Sequence, residues 1–107
     1  MVSFEDWKKV ELKVADVIAA ERVEGSEKLL KLSVSLGDEE RQIIAGIGKA
    51  YSPENIIGRK IIIVANLEPK ILMGLESQGM LVAATDEEGN PALIIPDREV
   101  VPGSALG

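Results

Sequence analysis

Between Leu30 and Leu36 apolar and polar residues alternate without a break, with Leu30, Leu32, Val34 and Leu36 on one side and Lys31, Ser33 and Ser35 on the other. A period of two marks a half-buried strand. Upstream, Leu12, Val14, Val17 and Ala19 carry an apolar series over Glu11–Val23 whose phase slips once near Asp16. The slip predicts a long, bent first strand with a bulge. Gly37–Glu39 supplies a turn and Arg41–Ile47 a third strand, so strands two and three form a hairpin that displays Lys31 near the Arg41 end. Lys60–Leu67 is strand four, its Ile61–Ala65 portion apolar throughout and therefore buried. Asn66–Gly79 reads as a mixed loop and short strand. Gly79–Thr85 is strand five, and Asp86–Asn90 turns into a final short strand at Pro91–Ile95.

Helical signals are few. Ser3 with Asp6 fits an S-x-x-D capping box, predicting one or two turns over Phe4–Lys9 that lie on the body of the fold through Phe4 and Trp7. Ser52 followed by Pro53 reads as N-cap and first helical position, with Gly58 as the stop, placing a helix at Pro53–Ile57. Three strands, a helix and two more strands is the order of an OB-fold, the all-β, five-stranded Greek-key barrel that commonly binds oligonucleotides. Beyond the barrel, Val100, Val101, Pro102, Ala105 and Leu106 form an apolar C-terminal extension, too extended to be covered by its own barrel. It is expected to dock, with part of strand one or the Trp7 helix, across the two-fold axis of a homodimer.

A length of 107 residues sets the expectation of one domain spanning 1–107, without a catalytic cleft between domains. No secretory or lipidation motif is evident and no apolar run approaches the ~20 residues of a membrane span, so a soluble cytoplasmic protein without a membrane partner is expected. The chain has no cysteine and no histidine. This excludes disulfides, thiolate nucleophiles, Cys-ligated metals and Ser-His or Cys-His hydrolysis. There is no G-x-x-x-x-G-K-S loop for a nucleotide. No catalytic residue, cofactor or metal site is therefore assigned. The acidic runs Asp38–Glu40 and Asp86–Glu88 lack the EF-hand spacing and read as solvated turns.

Apolar residues make up 46% of the chain and mean hydropathy is +0.13, high for a small domain, which implies apolar area covered by a partner. Phe4, Trp7 and Tyr51 are the only aromatics, so few rings are at hand to stack bases. The net charge of −6 opposes a nucleic-acid partner at first sight. Its distribution changes the picture: residues 1–27 sum to −3, residues 28–70 to +2 and residues 71–107 to −5. The middle stretch, residues 28–70, holds Lys28, Lys31, Arg41, Lys49, Arg59, Lys60 and Lys70. On charge alone these are either solubilising side chains or a phosphate-binding patch.

The run Val64–Met80, V-A-N-L-E-P-K-I-L-M-G-L-E-S-Q-G-M, closely resembles the signature of the tRNA-binding domain found as the C-terminal module or β-subunit of methionyl-tRNA synthetases. Val10–Ile18 (V-E-L-K-V-A-D-V-I), Val23–Leu30 (V-E-G-S-E-K-L-L), Ala45–Ile47 (A-G-I) and Ser52–Lys60 (S-P-E-N-I-I-G-R-K) resemble the family's other blocks, in order, so the likeness covers nearly the whole chain. It implies an OB-fold protein, often a homodimer, that binds tRNA by overall shape. It also implies an auxiliary, non-catalytic role, supplying tRNA to a methionyl-tRNA synthetase catalytic subunit or acting as a free tRNA-binding protein.

Such a surface needs cations for phosphate contacts, for which Lys28, Lys31, Arg41, Lys60 and Lys70 are the candidates. Neutral groups fix register on sugar and phosphate oxygens, and Gln42, Asn66, Ser77 and Gln78 lie on or beside the motif, Asn66 and Ser77 foremost. Met80 offers a thioether to a sugar or base. Each has a plain structural alternative: Asn66 and Gly79 as turn formers, Ser77 as a cap, Gln78 as partner of an edge backbone group, Met80 as core. Glu76 is expected to pair with Lys70 or Arg41. Where many members carry a basic cluster after V-A-N-L, this chain has Glu68, Ile71 and Met73, leaving Lys70 as the one cation and implying weaker binding. Two rivals stand beside this reading. One is the family's dimeric export-chaperone branch, using apolar surface; the other is a generic single-strand binder, which the scarcity of aromatics disfavours.

Overall fold

Leu30, Leu32 and Val34 are fully buried while Lys31, Ser33 and Ser35 are not, so the alternation in the sequence is the pleat of a strand in the computed structural model, which describes all 107 residues. The elements in chain order are α1 (Phe4–Trp7), β1 (Leu12–Arg22), β2 (Leu30–Ser35), β3 (Glu40–Ala45), α2 (Pro53–Ile56), β4 (Lys60–Val64), β5 (Lys70–Leu72), β6 (Leu75–Ser77), β7 (Met80–Thr85) and β8 (Pro91–Leu93). One antiparallel sheet runs β3-β2-β1-β4-β7-β8, and β5-β6 is a separate hairpin. The chain is all-β and barrel-like. The expected five strands and short final strand are present as β1 to β4, β7 and β8, and the region read as a mixed loop and short strand folds into the extra hairpin.

The long first strand bends as expected, with the slip at Ile18, two residues after Asp16. Val17 pairs with Val34 and Ala19 with Ser33, leaving Ile18 unmatched. Before the bulge Ala15 and Val17 face the core; after it Ala20 does. This one-residue change lets β1 pair with β4 through Leu12–Asp16 and with β2 through Asp16–Arg22. The core joins Leu30, Leu32 and Val34 to Ile43 and Ala45 of β3, Ile61 and Ile63 of β4, and Ile56 of α2. Helix α2 starts at Pro53 and stops before Gly58, whose φ of 85° only glycine adopts without strain.

Barrel closure does not use a ladder. The free edge of β3 meets the β6–β7 turn through the Gln78 N–H donating to the Gln42 carbonyl (2.8 Å) and the Ile44 N–H donating to Ser77 Oγ (2.9 Å). Gly79 allows this approach, since a Cβ there would stand 2.9 Å from the Val64 carbonyl oxygen.

Three expectations are corrected. Helix α1 is capped as predicted, Ser3 Oγ accepting from the Asp6 N–H at 3.1 Å, but none of its residues is buried, so Phe4 and Trp7 do not lie on the barrel. The barrel holds the segment after the helix, where Asn66 binds Lys9 and Glu11, and not the helix itself. The C-terminal extension is held by its own barrel: the Val14 N–H donates to the Ser104 carbonyl (2.9 Å), the Gly103 N–H to Val14 (2.7 Å) and the Leu106 N–H to Leu12 (2.9 Å). It occupies the edge that β1 leaves free before β2 joins it. The Lys31–Arg41 juxtaposition is also absent, because Lys31 stands opposite Ile44 and Arg41 opposite Val34. Three positions apart on a strand means opposite faces.

Candidate nucleic-acid interface

Arg41 shares its cross-strand position with the fully buried Val34 and so turns toward the end of the barrel. Its Nη1 donates to the carbonyls of Ala65 and Gln78, and Nη2 lies 2.9 Å from Glu39 Oε1. Lys31, on the outer face, is 2.7 Å from Glu21, its neighbour across β1. Lys60 lies 2.7 Å from Asp16 and 4.0 Å from Glu99. The hydrogen bond to Asp16 is the main reason its ammonium pKa stands above the ordinary lysine value, desolvation working in the opposite direction. Three of the five candidate cations thus already face a carboxylate. Glu76 forms no ion pair; Glu39 takes the place expected of it at Arg41.

The neutral candidates are occupied by the fold. Asn66 clasps the N-terminal segment, its Oδ1 accepting from the Glu11 N–H (2.9 Å) and its Nδ2 donating to the Lys9 carbonyl (2.6 Å). Ser77 is buried, and its hydroxyl donates to the Gly79 carbonyl at 2.9 Å besides accepting from Ile44. Gln78 Oε1 accepts from the Gln42 N–H (2.9 Å), and Gln42 Nε2 donates to the Glu76 carbonyl (2.9 Å). Gln78 thus satisfies an edge backbone group, as its structural alternative has it, whereas Asn66 ties down a distant segment instead of forming a turn and Ser77 bridges to β3 instead of capping the segment before it.

Lys28, Lys70 and Met80 remain unengaged, and the fold links them. Lys70 and Met80 border a groove of about 400 Å³ whose walls include Ile44, Leu67 and Leu72, with Ser77 and Glu68 also lining it. Ile44 and Met80 also line a second, shallower groove that reaches Gly46. There the alkyl chain of Lys28 packs, its Cε 2.9 Å from where a Gly46 Cβ would be. The Lys28 carbonyl accepts from the Gly48 N–H (2.7 Å), and Arg22 Nη1 donates to the Gly48 carbonyl (2.9 Å). Lys49, the next residue, is exposed and in no ion pair. The result is an apolar strip over β3 and β7 with Lys70 at one end and Arg22, Lys28 and Lys49 at the other.

The family described as "Putative tRNA binding domain" matches residues 12–105. The chain belongs to this tRNA-binding family. A methionine–tRNA ligase of Caldanaerobacter subterraneus subsp. tengcongensis is 55% identical over 105 residues, covering 98% of this chain. A ligase of Methanococcus aeolicus is 50% identical over 106 residues. The chain spans only 16% of the length of each. Among solved structures, a MetRS-related protein of Pyrococcus horikoshii superposes with a TM-score of 0.94 at 40% identity, covering 100% of this chain and 98% of that one. The chaperone CsaA of Bacillus anthracis superposes at 0.91 with 30% identity, covering 100% and 99%.

Within this tRNA-binding domain, Arg22, Lys49 and the apolar strip are the parts of the candidate surface that the sequence candidates did not include. Arg22 lies in the acidic first quarter of the chain, where a regional charge sum hides it. Its one signal is position: the V-E-G-S-E-K-L-L turn that begins beside it returns Lys28 to the same corner, a proximity invisible to a linear count.

Proposed function

We propose that this chain is a non-catalytic tRNA-binding module serving methionyl-tRNA synthetase in the cytoplasm, either as an auxiliary subunit or as one domain of a longer enzyme, and that it recognises the shape and phosphate backbone of folded tRNA. The observation that carries the reading is the unpaired set Arg22, Lys28, Lys49 and Lys70 flanking an apolar strip on a molecule of net charge −6. Carboxylates pair with six of the other eight cations, Lys13 and Arg59 being the exceptions, and these four are the free cations that flank the strip. The strip lies beside the β1–β2 loop and the β5–β6 hairpin, corresponding to the loops and strand face that OB-folds use for oligonucleotides. Four phosphates neutralised give a log-log salt slope of roughly −3.

Filter binding of total tRNA across a salt series tests this with Lys28→Ala, Lys49→Ala and Lys70→Ala combined. The slope should become shallower by about 0.7 to 0.9 for each cation removed, with an unchanged melting curve. A slope equal to that of the wild type would refute the assignment.

A chaperone role is the second reading, favoured by the likeness to CsaA and by exposed Leu67, Ile71, Met73 and Met80 around the hairpin. Competition separates the two. An unfolded polypeptide that displaces tRNA at equal concentration supports the chaperone; failure to displace it supports the tRNA reading.

A further inference from the structure

We propose that the groove beneath the β5–β6 hairpin accepts a single unstacked RNA base, guanine by preference; the inference rests on the tRNA-binding reading above. At about 400 Å³ the groove is in the range of small-ligand clefts, roughly 300 to 1,000 Å³. Its apolar boundary includes large side chains left in water, Leu67 47% and Met80 51% exposed. Phosphate contacts do not require such walls, whereas the faces of a base do.

The polar groups are selective in kind. The Ser77 hydroxyl donates its proton to the Gly79 carbonyl and accepts from the Ile44 N–H, which leaves one lone pair. Glu68 is in no hydrogen bond or ion pair and, as a carboxylate, only accepts. The groove therefore presents acceptors, together with one ammonium on Lys70.

An acidic residue beside the one cation of the motif is unfavourable for a surface that binds phosphates alone. It becomes useful if the carboxylate receives N–H groups from a base edge while Lys70 meets the phosphate of the same nucleotide. Guanine carries N1–H and N2–H side by side, matching the two oxygens of Glu68. Uracil offers one N–H between two carbonyls, which a carboxylate repels. Recognition of unstacked bases by their edges is the usual route to sequence preference in RNA binding. No aromatic ring lines the groove, so the base packs on aliphatic carbons and the Met80 thioether, whose sulfur contacts aromatic systems favourably.

The test uses the whole chain with the hexaribonucleotides UUGUUU and UUUUUU, beside folded tRNA, read by fluorescence anisotropy. The guanine-containing hexamer should bind about tenfold more tightly or better. Glu68→Gln, at an exposed site, should abolish that preference, and the Met80 methyl resonance should move upfield with UUGUUU but not with UUUUUU. Equal affinity for the two hexamers, or a preference that survives Glu68→Gln, overturns the pocket even if tRNA binds normally. Discrimination between hexamers without tRNA binding keeps the pocket and overturns the tRNA reading.

Discussion

Gln42 and Gln78 exchange two hydrogen bonds across the one seam of the barrel that has no strand ladder, main chain to main chain at 2.8 Å and main chain to side chain at 2.9 Å. The adjacent Ser77 hydroxyl satisfies the buried Ile44 N–H. Ser77→Ala leaves that donor unpaired, at a cost of about 1 to 3 kcal/mol. Thermal denaturation should show a melting point lower by something on the order of 10 °C. An unchanged melting point would mean that the seam does not depend on Ser77.

Arg41 serves the same seam from inside, through the carbonyls of Ala65 and Gln78. Replacing it by alanine should lower stability by about 1.5 to 3 kcal/mol, the range for hydrogen bonds to a charged group. The salt slope of tRNA binding should change less than with Lys70→Ala. Equal slope changes would assign Arg41 to phosphate rather than to the barrel.

Lys60 has a raised pKa in the folded state, so the Asp16 bond stabilises the fold fully below the unfolded lysine value of about 10.4 and is lost as pH climbs through the folded value. Urea unfolding of wild type and Lys60→Gln at pH 7, 9 and 11 should give equal stability gaps at the first two and a smaller gap at the third. A gap that widens toward pH 11 would contradict the sign.

The expected homodimer survives as a proposal with altered parts. The tail is anchored on β1, yet Ile94, Ile95, Val101 and Leu106 stay exposed, three of them bordering a mostly apolar depression that includes Val14 and Ile62. We expect sedimentation to show a dimer at micromolar concentration and Ile95→Asp with Val101→Asp to give a folded monomer. A monomeric wild type removes the idea.

Legibility differed sharply between backbone and site. Leu30, Leu32 and Val34 announced β2, and Ile61–Ala65 announced a strand buried on both faces, which the C-terminal tail explains by its place beside Val14 and Ile62. Motif polarity was ambiguous in another way. Asn66, Ser77 and Gln78 looked like ligand-facing groups because nothing in the linear order shows their partners: Lys9 and Glu11 lie over fifty residues from Asn66, and Ile44 lies 33 residues from Ser77.

By itself the sequence determined the strands of the main sheet, the Ser3 cap, the bulge and the family, since period, turn chemistry and collinear motifs are properties of neighbouring residues. Ser52 stands at the predicted N-cap position of α2, but its side chain makes no capping bond. Only the tertiary structure decided which cations are free. That depends on strand register, where one unmatched residue at Ile18 reassigns every later side chain of β1 to the other face, setting Glu21 against Lys31 while the β1–β2 turn gathers Arg22 and Lys28 at one corner.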